Sequence, residues 1–120
     1  MLDAGAFIAL EHGDGAMVAL SQLLANERIP LVTSAGVVAQ VWRGGGHRQV
    51  PLVFLLRRTT VVALDYAVAR ILGRLLGATG AYDAVDAHVV FLARERGWPV
   101  ITSDGDDLLA LDPSLTLERI

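Results

Sequence analysis

Short β-branched runs alternate with longer helical stretches along this chain, and that alternation constrains its fold more than any other feature. Strands separated by helices run parallel, because each crossover returns the chain to the same end of the sheet. Met1-Leu2 reads as the stub of a first strand and Ile29 to Thr33 as a buried one. Thr60 to Leu64 and Pro99 to Thr102 follow, and Leu115 to Glu118 is a last, edge strand. Between them fall helices over Ala4 to Leu10, Ala16 to Asn26, Ser34 to about Arg43, Arg48 to Arg57, Asp65 to Leu76, Asp83 to Arg96 and Asp106 to Leu111. Ser34, Asp65 and Asp83 suit N-cap positions, where a short side-chain oxygen accepts from the free N–H groups of the first turn. Gly97 suits a helix end. The expectation is an α/β fold in one domain spanning 1–120.

Composition then excludes several classes of function. Hydrophobic residues make up 53% of the 120, ample for one core with both faces of a sheet covered. No cysteine is present, so disulfides and thiolate metal sites are excluded, in keeping with a cytoplasmic protein. All ten basic residues are arginine, which rules out P-loop and Schiff-base lysine chemistry. A net charge of −3 is not that of a strongly basic nucleic-acid binder. No stretch approaches the ~18 apolar residues of a membrane span, and Met1-Leu2-Asp3 does not open a signal peptide. The first strand is so short that either the true start lies upstream or the strand is minimal.

Three aspartates carry the chemistry. Asp3 directly follows the first strand and Asp104 directly follows Val100-Ile101-Thr102. In parallel α/β sheets the crevice beyond the carboxyl ends of the strands is where ligands bind. Asp86 lies one turn beyond Asp83, in an apolar segment where a charge needs a partner. A helix feeding the Val100 strand is expected to start at the opposite edge of the sheet. A loop over Gly77 to Ala81 is therefore needed to bring Asp86 to the crevice. Converging carboxylates raise one another's pKa, and a hard divalent cation, Mg²⁺ or Mn²⁺, resolves the repulsion. Such an ion activates water and neutralises a phosphodiester. Capping is the alternative role for Asp3 and Asp104, and Asp106 and Asp107 read as cap and surface residues rather than ligands.

Four pieces in order resemble the PIN-domain family, and within it the toxin ribonuclease of a VapBC-type toxin–antitoxin pair. They are Leu2 to Leu10, Pro30 to Arg43, Asp86 to Ala93 and Val100 to Asp104. The resemblance implies a five-stranded parallel sheet flanked by helices on both faces, and Mg²⁺- or Mn²⁺-dependent cleavage of RNA. Asp3, Asp86 and Asp104 take the places of the catalytic, metal-holding acids. It further implies a homodimer and an antitoxin that lays a peptide over the site. The family's second acid is usually glutamate, and this chain has Gln40 there. Glutamine keeps an oxygen acceptor and loses the charge. One ion held by three carboxylates, altered affinity or reduced activity would follow. Gln40, Asp83 and Thr102 are candidates for weak ligation or for orienting the acids.

Arg43, His47, Arg48, Arg57 and Arg58 surround Gly44-Gly45-Gly46. They read either as a solvated helix end or, for Arg43 and Arg48 in particular, as contacts to an RNA backbone. His88 points away from Asp86 and suits packing or surface better than base catalysis. His12 and His47 have no partner at ligand spacing, Trp42 and Trp98 suit a core or interface, and no interleaved aromatics suggest a base-stacking platform. Three functions compete: an active ribonuclease toxin, a PIN-fold module with weak catalysis that binds RNA or protein, and a receiver-type signalling domain. The third fails on the missing lysine and the spacing of the acids.

Overall fold

The structure, a computed structural model, describes residues 1–120. Helices α1 (Ala4–Glu11) and α2 (Gly15–Asn26) precede strand β1 (Leu31–Ser34) and helix α3 (Ala35–Val41). A single 3₁₀ turn, His47–Gln49, leads into α4 (Val50–Arg57) and β2 (Thr59–Val62). Helices α5 (Tyr66–Thr79) and α6 (Ala84–Arg96), strand β3 (Val100–Thr102), α7 (Asp106–Leu111) and β4 (Leu117–Arg119) complete the chain. No helix is long and apolar enough to cross a membrane.

The strands form two parallel pairs, β1 with β2 and β3 with β4. A continuous five-stranded sheet is not present. The segment Met1–Asp3 is too short to be a strand and forms only one parallel bridge, Leu2 to Ile101. It lies between the pairs all the same. Leu2 N–H donates to Val32 O at 2.9 Å, Asp3 N–H to Ile101 O at 3.1 Å, and Ile101 N–H to Met1 O at 2.8 Å. The Thr33 hydroxyl adds a bond to Leu2 O at 2.8 Å. Leu2, Val100 and all of β1 are buried, whereas β2 and β4 expose residues as edge strands do.

The apolar side chains form one cluster that includes Leu2, Phe7, Met17, Val37, Leu52, Leu72, Val89, Val90 and Leu108. The helices gather in two groups, α1 with α2, α3 and α4, and α6 with α5 and α7; α3 touches both. Burial of one such side chain is worth about 1.5–3 kcal/mol, so the cluster dominates the stability of the fold.

Several element limits differ from the expected ones for local reasons. The helix after β1 stops at Val41, since Trp42 turns to an extended conformation ahead of Gly44 and Gly45, both at positive φ. α4 begins at Val50 rather than Arg48, because Pro51 lacks an N–H and suits a first turn. α5 runs three residues past Leu76, through Gly77, and ends on Gly80 at φ 76°. The expected loop over Gly77 to Ala81 is thus mostly helix. The strand Ile29 to Thr33 begins two residues late, after Arg28 at φ 52° and a return bond from Ile29 N–H to Leu24 O. The last strand also begins two residues later than expected, and β2 ends two residues early.

Candidate functional site

Register decides which side chains meet. Because Leu2 bridges Ile101, Asp3 comes level with Thr102 at the carboxyl end of β3. The Thr102 hydroxyl, buried, donates to Asp3 Oδ2 at 3.0 Å, with Asp104 O an alternative acceptor at 3.0 Å, and accepts from Asp104 N–H at 3.2 Å. One threonine therefore ties the first acid to the turn carrying the last. Asp3 is only 9% exposed. It stands at the N-cap position of α1 yet makes no side-chain cap bond. Gly5 permits this meeting: a Cβ there would lie 2.8 Å from the Ser103 backbone nitrogen.

α6 brings the next acids. A helix feeding a parallel strand runs antiparallel to it and so starts at the carboxyl edge. The expectation of a start at the opposite edge, rescued by a long loop, was mistaken. Thirteen residues at about 1.5 Å each span roughly 20 Å, enough to cross the sheet. Two contacts hold the start of α6 in place. His88 Nδ1 and Ser34 Oγ are 2.6 Å apart, and Gly36 of α3 lies so close to Val85 that a Cβ would come within 2.8 Å of its Cγ2. Asp83 is the N-cap, accepting from Val85 and Asp86 N–H at 2.9 and 3.0 Å. Asp86 is left free of cap duty and half-buried.

The electrostatics show which acids sense one another. Burial pushes the Asp3 carboxyl above its ordinary range, the negative charges of Asp83 and Asp104 push the same way, and the Ala4 N–H and Thr102 hydroxyl oppose them. Asp86 is pushed up from 3.8 to about 6, first by burial and then by Asp83, Asp3 and Asp107. Asp3, Asp83, Asp86, Asp104 and Asp107 therefore share one field. The donor set, all carboxylate and hydroxyl oxygen, fits a hard divalent cation, and mutual repulsion is what such an ion would relieve. No three His, Asp or Glu side chains stand close enough to enclose an ion as they are.

Gln40, Arg43, Arg48 and Asp106 are not among the groups that act on Asp3 or Asp86. Gln40 is exposed, one turn along α3 from Gly36, and its side chain makes no hydrogen bond. Arg43 is exposed and donates to Trp42 O at 2.7 Å, closing the end of α3. Arg48 is exposed on the 3₁₀ turn. Asp106 pairs at 3.7 Å with Arg119. Asp104, exposed, accepts from Asp106 N–H at 3.3 Å.

Four further residues bear on the site and the loop beside it. Asp107 is a surface residue, as expected, and also adds to the field at Asp86 and lines a cavity of about 230 Å³ with Tyr82, Asp83 and Asp86. Tyr82 is almost wholly exposed there. His88 is fully buried, its Nε2 has no partner, and burial pulls its pKa down. Gln49 is buried and organises the glycine loop: its Oε1 accepts from Arg43 and Gly45 N–H at 2.8 and 3.1 Å, and its Nε2 donates to Val41 O at 2.8 Å. Only Tyr82 left a signal, an aromatic one residue before a helix-capping aspartate.

No curated protein matches the chain. Residues 1–112, everything ahead of β4 and the short stretch before it, match the PIN domain family. With acids gathered at the carboxyl ends of parallel strands, the chain belongs to that family, whose fold is generally a nuclease and usually works with divalent metal ions.

Proposed function

We propose that this chain is a metal-dependent endoribonuclease, the toxin of a VapBC-type toxin–antitoxin pair, hydrolysing RNA phosphodiester bonds as a single PIN-like domain. The observation that carries the reading is the Thr102 hydroxyl, which ties the Asp3 carboxylate to the Asp104 turn at the carboxyl end of β3; burial and neighbouring carboxylates push Asp3 and Asp86 upward beside it. No arginine pairs with either carboxyl. Asp3, Asp86 and Asp104 would hold one Mg²⁺ or Mn²⁺, with Asp83 at its margin. When bound, that ion supplies a water of lowered pKa and charge neutralisation at the phosphodiester.

The chain's own residues prepare the site. Thr102 fixes the orientation of the Asp3 carboxylate and, through the same hydroxyl, the Asp104 turn. Asp83 holds the first turn of α6 and so the height of Asp86. Asp86 gives up its proton near pH 6, so cation affinity and cleavage rise with pH through that value. Arg43 and Arg48 contact the RNA backbone. We read β2, β1, Met1–Asp3, β3 and β4 as one functional sheet of five segments with helices on both faces. The cytoplasm, a VapB-like antitoxin and a homodimer belong to the same proposal.

A second reading has one observation in its favour. Gln40, in the place of the usual glutamate, is exposed and unbonded. A PIN-fold module with weak catalysis, binding RNA or protein, would tolerate that. RNA cleavage in Mn²⁺ or Mg²⁺ by wild type, Asp86→Asn and Gln40→Glu separates the two. The ribonuclease reading expects cleavage by wild type and its loss in Asp86→Asn. No cleavage by wild type, with activity gained in Gln40→Glu, would support the module. Equal cleavage by wild type and Asp86→Asn would remove the metal assignment.

A further inference from the structure

Tyr82 is 94% exposed, more than any other large apolar side chain of the molecule. The other exposed aromatic rings are engaged. Arg57 stands 5.7 Å over Phe54 and Arg70 5.9 Å over Tyr66. Trp42 lies against Gly45, where a Cβ would come within 2.9 Å of its Cζ2. No arginine covers Tyr82, and its hydroxyl makes no hydrogen bond. Both faces of its ring are open.

The backbone that presents this ring is held at both ends. On one side Gly80 closes α5 in the left-handed conformation, and Ala81 N–H donates to the Thr79 hydroxyl at 3.4 Å. On the other side the Asp83 carboxylate accepts two N–H groups of α6. Only Gly80, Ala81 and Tyr82 lie between α5 and the Asp83 cap. The ring shares its cavity, about 230 Å³, with Asp83, Asp86 and Asp107. That volume falls below the ~300–1,000 Å³ of a site for a drug-sized molecule. The carboxylates on its wall repel a phosphate that arrives without a cation. The rest of the wall, Ala81, Ala110 and Leu111 beside the ring, is apolar and suits an uncharged flat group.

We propose that Tyr82 is the platform on which one unpaired nucleobase of the substrate stacks, next to the phosphodiester held at Asp86. The inference rests on the nuclease reading and deepens it by naming the residue that would take a base, since stacking on an open ring requires a base splayed out of a helix. Every base has a π-face, so the platform gives affinity with little choice of sequence. Tyr82 acts in binding and takes no part in bond breaking.

The test measures affinity by fluorescence anisotropy with a labelled single-stranded RNA in Ca²⁺, a hard cation of the same oxygen-ligand class. It uses wild type, Tyr82→Phe and Tyr82→Ala. A parallel set of RNAs carries one abasic nucleotide at each position in turn, and a duplex is added. Tyr82→Ala is expected to weaken single-strand binding about tenfold, the loss of one base–aromatic stack, while Tyr82→Phe retains it. One abasic position should weaken wild type by the same factor and leave Tyr82→Ala unaffected; duplex binding should not distinguish the two proteins. Equal single-strand affinity of wild type and Tyr82→Ala overturns the platform and leaves the nuclease reading standing. A changed sedimentation coefficient with unchanged RNA affinity overturns it in favour of a protein on that ring. Failure of wild type to bind RNA at all overturns both.

Discussion

Replacing Asp86 by asparagine should make this protein more stable at neutral pH. The carboxyl moves from an ordinary 3.8 to about 6 in the folded chain, because burial and the charges of Asp83, Asp3 and Asp107 disfavour its ionised form. Between about pH 4 and 6 the native state binds more protons than the unfolded one, so stability falls as pH rises through that window. Above about 6 the penalty is complete, and below about 4 it vanishes. Two pKa units correspond to roughly 3 kcal/mol, but Asp86 is only half-buried and solvent screening reduces that to about 1 kcal/mol. For a chain of this length that is a rise in Tm of about 4 °C. Asparagine keeps the shape and removes the charge. Calorimetric melting of wild type and Asp86→Asn at pH 4.0 and 7.5, without divalent ions, checks it. Asp86→Asn should melt higher at 7.5 and level with wild type at 4.0. A lower melting point at 7.5, or a gap independent of pH, would refute the electrostatic argument.

Other outcomes follow from single contacts. Gly5→Ala would press a methyl group onto the Ser103 backbone; a loss of about 1–3 kcal/mol in urea unfolding is expected, with weaker cation binding as Asp3 is displaced from Thr102. Ser34→Ala removes the oxygen that accepts from Gly36 N–H and leaves both nitrogens of buried His88 unpartnered, for a loss of about 2–3 kcal/mol; an unchanged urea midpoint would contradict it. Thr102→Val deletes the hydroxyl that favours ionised Asp3, so the Asp3 carboxyl should titrate higher still by carbon-detected NMR.

Much of the fold was legible because its signals are local. Caps at Asp65 and Asp83 and the glycine stop at Gly97 each follow from one side chain meeting one helix end. What escaped was set by tertiary context. Met1-Leu2, expected as the stub of a strand, makes only one bridge, and its place between two strand pairs depends on the backbone groups of Val32 and Ile101. The length of α5 was misjudged because Gly77 resembles a stop and is tolerated inside a packed helix. Asp3 and Asp104 stood out by their strand-end positions, and Asp86 as a charge in an apolar helical segment one turn beyond a cap. Asp107 did not, because its part lies in the charge it projects across α7 to α6, a distance that spacing along the chain does not encode. Gln49 was passed over because three of its four partners are backbone groups of the 41–45 turn and the fourth is Glu11, far along the chain.

Cation binding tests the account most directly. Mn²⁺ titrated calorimetrically into wild type, Asp3→Asn, Asp86→Asn and Asp104→Asn at pH 7.5 should show one ion per wild-type chain. Each substitution should weaken that binding at least about tenfold, as removal of one ligating charge does, with the melting point of each variant confirming a folded protein. Binding that survives unchanged in all three variants, or that wild type does not show, would contradict the assignment of these acids to a single metal site.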